Sequence, residues 1–310
     1  MTFSAVDHRM MARALRLAER AVFTTRPNPM VGCVLVHGDE VVGEGWHQRK
    51  GGPHAEVFAL QAAGDRAKGA TAYVTLEPCS HHGRTGPCCD ALINAGIRKV
   101  IASIADPNPL VAGQGFARLR AAGVEVEVGP GAAESRELNI GFFSRMLRKT
   151  PWVRMKIAAS LDGKTALDDG TSQWITSEAA RTDGHAWRAR ACAVLTGIGT
   201  VLEDNPRLDV RLVDTPRQPI RVLVDSRLQV PLDAHILGAA SPRYIYAAVQ
   251  NDAKKSALEA LGATVIHLPD TQGKVDLAAM LRDLGTRQIN ELHVEAGAKL
   301  NGSLLRAGLV

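Results

Sequence analysis

The residues best suited to do chemistry lie in the first hundred positions of the chain. His54-Ala55-Glu56 is followed by Pro78-Cys79 and then by Pro87-Cys88. One imidazole and two thiolates make a zinc donor set, and three protein ligands leave a fourth position open to water. Zinc lowers the pKa of such a water to roughly 7, which brings hydrolysis to neutral pH. Displacing an amino group from a ring also needs a proton carrier. Glu56 sits two residues after His54 at the start of one predicted helix, beside the ligands without being one. A carboxyl group there can take the water proton and deliver it to a ring nitrogen and to departing ammonia. The helix start at Cys88 favours the thiolate form of both cysteines. The compact signature for this chemistry is H-x-E with P-C-x-x-C. Here nine positions separate Cys79 from Cys88, with Ser80-His81-His82-Gly83-Arg84-Thr85-Gly86-Pro87 between them. The competing arrangement is a closed structural site of His54, Cys79, Cys88 and one of His81, His82 or Cys89, which leaves Glu56 without a task.

These groups need elements to hold them. Residues 4–23 read as an amphipathic helix, with Met11, Leu15, Ala18 and Val22 on one face and Ser4 with Asp7 as its capping start. Pro27-Asn28-Pro29 ends that pattern. Residues 31–36 and 40–45 read as two strands joined at His37-Gly38-Asp39. Further helices are predicted at 54–63, 88–95, 116–122 and 134–148, and further strands at 72–76, 99–104 and 124–128. Lys149-Thr150-Pro151 is a plausible hinge. Beyond it the pattern restarts, with strands at 152–159, 191–196, 220–225, 243–248, 264–268 and 291–295, and helices at 177–190 and 277–284. Alternating strands and helices predict two α/β domains, 1–148 and 151–310, each on a mostly parallel sheet. The halves share no repeat.

Three segments of the second half read as ligand loops. In residues 156–165, Gly163-Lys164-Thr165 suggests a P-loop, but Ala159 stands where that motif requires glycine. Thr196-Gly197-Ile198-Gly199-Thr200 follows an apolar strand, and two glycines there allow close approach to a phosphate. Residues 294–303 read as strand, glycine turn and helix start, which also suits a pyrophosphate. No G-x-G-x-x-G is present, so a Rossmann site has no support.

Composition narrows the classes. At 310 residues, 45% hydrophobic and 22% charged, the chain is long enough for two cores and too apolar for disorder. Aromatics at 4% argue against a single-strand nucleic-acid binder built on stacked rings. The net charge of +5 is scattered and suits a phosphorylated small molecule as well as it suits nucleic acid. Five cysteines, three of them clustered, do not read as a disulfide framework and point to a reducing compartment. With no apolar run long enough to span a membrane and no signal-peptide pattern, the sequence reads as cytoplasmic.

The wide Cys79–Cys88 spacing, the loop Ser80-His81-His82-Gly83-Arg84-Thr85 and the segment Asn28-Pro29-Met30-Val31-Gly32-Cys33 resemble the bifunctional deaminase/reductase family of riboflavin biosynthesis. The resemblance covers nearly the whole chain, in order. It implies an N-terminal cytidine-deaminase-like three-layer α/β/α domain and a C-terminal dihydrofolate-reductase-like α/β domain. It implies one Zn2+ per chain on His54, Cys79 and Cys88, with Glu56 as proton shuttle. The substrate implied is a phosphorylated pyrimidine ribosylamine, which loses its 2-amino group before NADPH reduces its ribosyl group to ribityl. Asn28, His47 and Arg84 match positions that contact the deaminase substrate. Read from chemistry alone, Asn28 is also a plain turn residue, His47 a solvated strand-end histidine and Arg84 a surface arginine. His81 and His82 carry no role beyond partnering the metal ligands.

For the second domain the resemblance implies an NADPH site lined by Ala158, Trp174, Thr200, Asp204, Ser226, Gly297, Ala298, Lys299, Leu300, Asn301, Gly302 and Ser303. It places Ser172, Arg188, Leu208, Arg211 and Glu295 at the reductase substrate, with Lys156 and Asp162 nearby. For the last two a surface charge pair is the alternative. Arg188 and Arg211 suit a 5′-phosphate. The resemblance also implies a homo-oligomer, a dimer, and no nucleic-acid or membrane partner. The family continues past a segment like Ala307-Gly308-Leu309-Val310 with further strands, so the reductase sheet is expected to lack its closing strands and leave an open edge. Two other readings compete: a nucleic-acid-editing deaminase with an accessory domain, and a structural zinc module with a scaffold domain.

Overall fold

Local sequence decides how the N-terminal half begins. Ser4 caps helix α1 (Ala5–Glu19): its side chain accepts the Asp7 N–H, and the Asp7 carboxylate accepts the Ser4 N–H in return. The helix stops short of residue 23, and successive turns lead to the proline-flanked Asn28. A computed structural model describes residues 3–80, 86–109, 111–238 and 241–310. They fall into two compact units, Met1–Arg148 and Lys149–Val310.

In the first unit, β1 (Gly32–His37) and β2 (Glu40–Trp46) form a hairpin across Gly38, whose φ of +63° suits glycine. Then come α2 (Ala55–Ala63), β3 (Thr71–Val74), α3 (Cys88–Asn94), β4 (Lys99–Ala102), α4 (Gln114–Ala121) and β5 (Glu125–Val128). The sheet order is β2-β1-β3-β4-β5. This sheet is not mostly parallel as predicted. β1 runs antiparallel to both neighbours, and only β3, β4 and β5 are mutually parallel. A two-residue turn can return a strand only antiparallel, and β3 then enters on the far side of β1.

Both faces of this sheet are covered, which gives three layers. Val34, Val36, Tyr73 and Ile101 pack on Met10, Met11, Ala14 and Leu17 of α1. Cys33, Leu35, Ala72, Val74 and Val100 pack on Ala55, Ala59, Ala63, Leu92 and Leu119. Helix α2 lies very close to the sheet. A Cβ at Gly43 would come 2.3 Å from the Ala59 carbonyl oxygen, and one at Gly45 would come 2.4 Å from the Phe58 Cβ. Alanines on the helix facing glycines on β2 fix where α2 starts. The predicted helix 134–148 is two helices, α5 (Ala132–Leu138) and α6 (Ile140–Arg148). Buried Asn139 breaks it: its Oδ1 accepts the Met30 N–H at 2.7 Å and its Nδ2 donates to the Met30 carbonyl at 2.9 Å.

The second unit contains β6 (Trp152–Met155), α7 (Glu178–Arg190), β7 (Ala193–Gly197), α8 (Ile198–Asp204), β8 (Ile220–Val224) and β9 (Arg243–Ala247). α9 (Asp252–Ala260), β10 (Ala263–His267), α10 (Leu277–Thr286), β11 (Glu291–Val294) and α11 (Ala298–Arg306) complete it. Its sheet order is β10-β9-β8-β7-β11-β6, and every neighbouring pair is parallel. β7 is a largely apolar run that suits a strand buried on both faces, and β11 is equally buried although it carries Glu291 and His293. β6 ends at Met155 rather than 159. The chain beyond it is largely exposed and folds into a turn in which the Ser160 N–H donates to the Lys164 carbonyl. Among the described residues, no helix is long and apolar enough to cross a membrane.

Candidate active sites

His54 is the residue that caps α2, and Cys88 is the first residue of α3. Pro78-Cys79 follows β3. The sheet therefore brings His54, Cys79 and Cys88 together, with their ligand atoms all within 4.8 Å of one another. His54 Nδ1 lies 3.2 Å from Cys88 Sγ and 3.6 Å from Cys79 Sγ. A tetrahedral zinc with ordinary bond lengths holds its nitrogen and sulfur ligands about 3.6 Å apart, so the cluster fits that ion. Cys89 does not supply a fourth ligand: its thiol points away, donating to the Pro78 carbonyl at 3.2 Å. His81, His82 and Arg84 lie outside the described residues.

The cluster's electrostatics follow from burial and contact. The Cys88 N–H donates to Cys79 Sγ at 3.4 Å. Hydrogen bonding from the Cys88 thiol, with help from His54, holds the Cys79 thiol below its usual range. The hydrogen bond to Cys79 raises the His54 pKa. Glu56 is 3% exposed. Burial raises its carboxyl pKa against the opposing pull of His54. His47, far from solvated, is buried beside His54, with ring centroids 5.3 Å apart. Its Nδ1 donates to the Pro53 carbonyl at 2.9 Å, so its Nε2 accepts from Asn28 Nδ2 at 3.1 Å. Burial lowers its pKa, which keeps that neutral form. Asn28 is thus held by its amide nitrogen.

One anchor went unnoticed in the sequence. Buried Glu77 accepts four backbone N–H groups, from Asp106 (3.1 Å), Gly113 (2.9 Å), Gly115 (2.9 Å) and Phe116 (3.3 Å). It locks the backbone immediately before Pro78-Cys79. Its position next to a Pro-Cys pair was the available signal.

In the second unit, Arg188 and Glu295 form a two-pronged ion pair, with Arg188 Nη2 2.8 Å from Oε2 and Nε on Oε1. Burial pulls the other way, but Arg188 holds the Glu295 carboxyl below the usual range. Lys156 Nζ lies 3.8 Å from Glu295, because β6 and β11 are parallel neighbours and both residues follow their strand ends. Arg188 Nη1 donates to the Asp209 carbonyl at 2.9 Å, and Arg211 Nη1 reaches Asp209 Oδ1 at 2.7 Å. Leu208, next to Asp209, is buried.

The glycine turns also converge. β7 and β11 are neighbours, and each runs directly into a helix at Gly197 and Gly297. A Cβ at Gly197 would lie 3.3 Å from Leu300, and one at Gly297 would lie 3.8 Å from Thr200 Oγ1. Asn301 Nδ2 donates to the Ala296 carbonyl at 2.7 Å, while its buried Oδ1 has no partner. Ser226, after β8, accepts the Val275 N–H. A crevice at the carboxyl ends of parallel strands is where dinucleotides sit, and the orphan Asn301 oxygen fits a ligand hydroxyl or amide donor. Ala298, Lys299, Gly302 and Ser303 ride on α11. Other expected residues are not gathered in. Asp162 bonds within its own turn to Ser160, Trp174 is 68% exposed under Arg181, and Asp204 is exposed at the end of α8. Ala158 and Ser172 lie in the same partly exposed stretch between β6 and α7.

Residues 4–104 match the cytidine and deoxycytidylate deaminase zinc-binding region, and residues 151–310 match the RibD C-terminal domain. The riboflavin biosynthesis protein RibD of Escherichia coli K12 is 50% identical over 98% of this chain and 85% of its own length. That of Aquifex aeolicus is 44% identical over 98% and 84%. This chain belongs to the RibD family. Among solved structures, Acinetobacter baumannii RibD superposes with a TM-score of 0.90 at 43% identity, over 98% of this chain and 84% of its own. A Thermotoga maritima diaminohydroxyphosphoribosylaminopyrimidine deaminase/5-amino-6-(5-phosphoribosylamino)uracil reductase superposes with a TM-score of 0.86 at 34% identity, over 97% and 84%. RibD membership joins a deaminase domain to a reductase domain, which accounts for both halves. A nucleic-acid-editing deaminase leaves residues 151–310 unexplained.

Proposed function

We propose that this chain performs two consecutive reactions of riboflavin biosynthesis. The first is hydrolytic deamination of 2,5-diamino-6-(5-phosphoribosylamino)pyrimidin-4(3H)-one. The second is reduction of the ribosyl group, giving 5-amino-6-(5-phosphoribitylamino)uracil. The observation that carries this reading is the His54–Cys79–Cys88 cluster with buried Glu56, on a chain whose other half carries a second, separate cluster of Lys156, Arg188, Arg211 and Glu295.

In the first reaction His54, Cys79 and Cys88 would hold zinc, which would supply Lewis acidity to a water. Glu56 takes the water proton and carries it to the ring nitrogen and to leaving ammonia; its raised pKa suits a group that must hold a proton between steps. Asn28, fixed by His47, turns its Oδ1 toward the amino edge of the ring. Arg84 forks onto the phosphate.

In the second reaction NADPH, when bound, supplies the hydride. Thr200, Ser226 and residues 297–303 position it, with Ala158, Trp174 and Asp204 at its margin. Arg188 and Arg211 bind the 5′-phosphate, while Lys156, Leu208 and Glu295 lie beside the sugar; Asp162 and Ser172 are assigned to it by the family resemblance alone. Arg188 already spends three nitrogens on protein acceptors, so Arg211 is the freer of the two cations. The proposal includes a cytoplasmic homodimer without a nucleic-acid partner, which light scattering and salt-dependent RNA titration test.

Mass spectrometry of products from the diaminopyrimidine tests both steps on the zinc-loaded chain. Without NADPH, the amine-to-carbonyl mass change is expected. With NADPH, two further hydrogens are added. No mass change in either tube would reject the reading.

A further inference from the structure

His185 lies on α7 one turn before Arg188 and belongs to no element of the reading above. Its side chain is buried, and its Nδ1 accepts the backbone N–H of Arg211 at 3.1 Å. That bond crosses from helix to loop and bridges the two arginines. On one side of the histidine stands Arg188, tied to Glu295 and to the Asp209 carbonyl. On the other stands Arg211, tied to Asp209 Oδ1. We infer that His185 is a positioning residue for the reductase's phosphate-binding arginines: it fixes the backbone of Arg211 so that its guanidinium stays beside Arg188.

The inference rests on the reading of Arg188 and Arg211 as phosphate ligands. Three observations support it independently. An imidazole accepts at Nδ1 only when that nitrogen carries no proton, and the surroundings enforce that state. Burial, then Arg188 and Arg211, push the His185 pKa down to about 4, while Glu295 and Asp209 oppose them more weakly. The Arg211 side chain is half exposed and, among the described residues, is held by Asp209, so its direction depends on where its backbone is held. A loop amide bonded to a buried ring has little freedom, and two cations kept close before the ligand arrives need no rearrangement to bind it.

The test compares His185→Ala, His185→Asn and His185→Gln in the full-length chain, with Arg211→Gln alongside. An Asn oxygen falls near the place of Nδ1, whereas a Gln oxygen reaches toward Nε2. Losing one buried hydrogen bond corresponds to about 5–10-fold in affinity. His185→Ala is expected to raise the KM for the phosphorylated reductase substrate by about that factor, with kcat falling less. The KM for NADPH is expected to stay within about twofold, which reports a folded second unit, and deaminase turnover in the first unit is expected to persist. His185→Asn should recover most of the lost affinity and His185→Gln little of it. Equal losses in kcat and in both KM values, in all three variants, would show a merely structural histidine and overturn the inference. So would an unchanged KM in His185→Ala while Arg211→Gln raises it; there the phosphate reading stands and the positioning role falls. An Arg211→Gln variant with unchanged KM would remove the phosphate reading itself, and the inference with it.

Discussion

The two candidate sites are built in opposite ways. In the first unit the reactive groups sit at helix starts and in tight turns: His54 as the cap of α2, Glu56 in its first turn, Cys88 at the head of α3. In the second unit Lys156, Arg188, Arg211 and Glu295 come from four separate stretches and meet only because β6, β7 and β11 lie side by side. Each group of the first site is set at a helix start or a turn, and the sheet then brings these starts together. The second is fixed by sheet topology, so its members hold one another in place through ion pairs. Damage to the first should therefore cost chemistry, and damage to the second should cost stability along with it.

The largest effect expected is on chemistry. Glu56→Gln keeps the shape and removes the proton carrier, so deamination should fall by about 10³-fold. Reduction of separately supplied deaminated substrate should be untouched. A parallel loss of both activities would erase the contrast between the sites. Arg188→Met should act the other way. It leaves poorly solvated Glu295 with only the longer Lys156 contact, which costs about 3 kcal/mol of stability. Urea unfolding followed by tryptophan fluorescence reads this directly, since Trp152, Trp174 and Trp187 lie in the second unit and only Trp46 in the first.

A smaller effect should come from the clamp below the metal cluster. Glu77→Gln puts an amide nitrogen against a backbone N–H and leaves donors unmet, at about 2 kcal/mol. Chelator competition should then show weaker zinc retention, with the reductase unaffected. The smallest effect is a slope with pH. Burial first, then neighbouring cations, lower the pKa of His185 and of His293 to about 4. Unfolded histidine titrates near 6.5, so between these values the unfolded chain binds more protons than the folded one. Stability of the second unit should rise with pH across that window and be lost as acid takes the chain from about 6.5 toward 4. Thermal melts at half-unit steps, with His293→Leu showing a shallower slope, check the sign.

The same contrast explains what the sequence disclosed. His54, Glu56, Cys79 and Cys88 carry their meaning in spacing and residue type, and the capping pair Ser4 and Asp7 is as plain. Boundaries were less legible where a distant partner decides them. Asn139 splits a helix because it bonds Met30, over a hundred residues away. The antiparallel half of the first sheet depends on β3 passing to the far side of β1, which no periodicity reports. Glu77 and His185 look like ordinary polar residues until their backbone N–H donors arrive from further along the chain. In the second unit the glycine turns were visible individually, but only the adjacency of β7 and β11 makes them one crevice.

That adjacency also sets an order of assembly. β7 pairs with β8, β8 with β9 and β9 with β10, so these four strands can associate as the chain is synthesised. β6 cannot. Among the described residues its only neighbour is β11, which follows β7 to β10 in the chain and must slot between β7 and β6. Long-range pairings of this kind close late in folding. Lys156 therefore meets Glu295 only in the closing event, and until then Arg188 has no carboxylate to hold. The reductase cluster closes only after β7 to β10 have been made, so a nascent chain can carry a folded deaminase half before its second cluster is assembled.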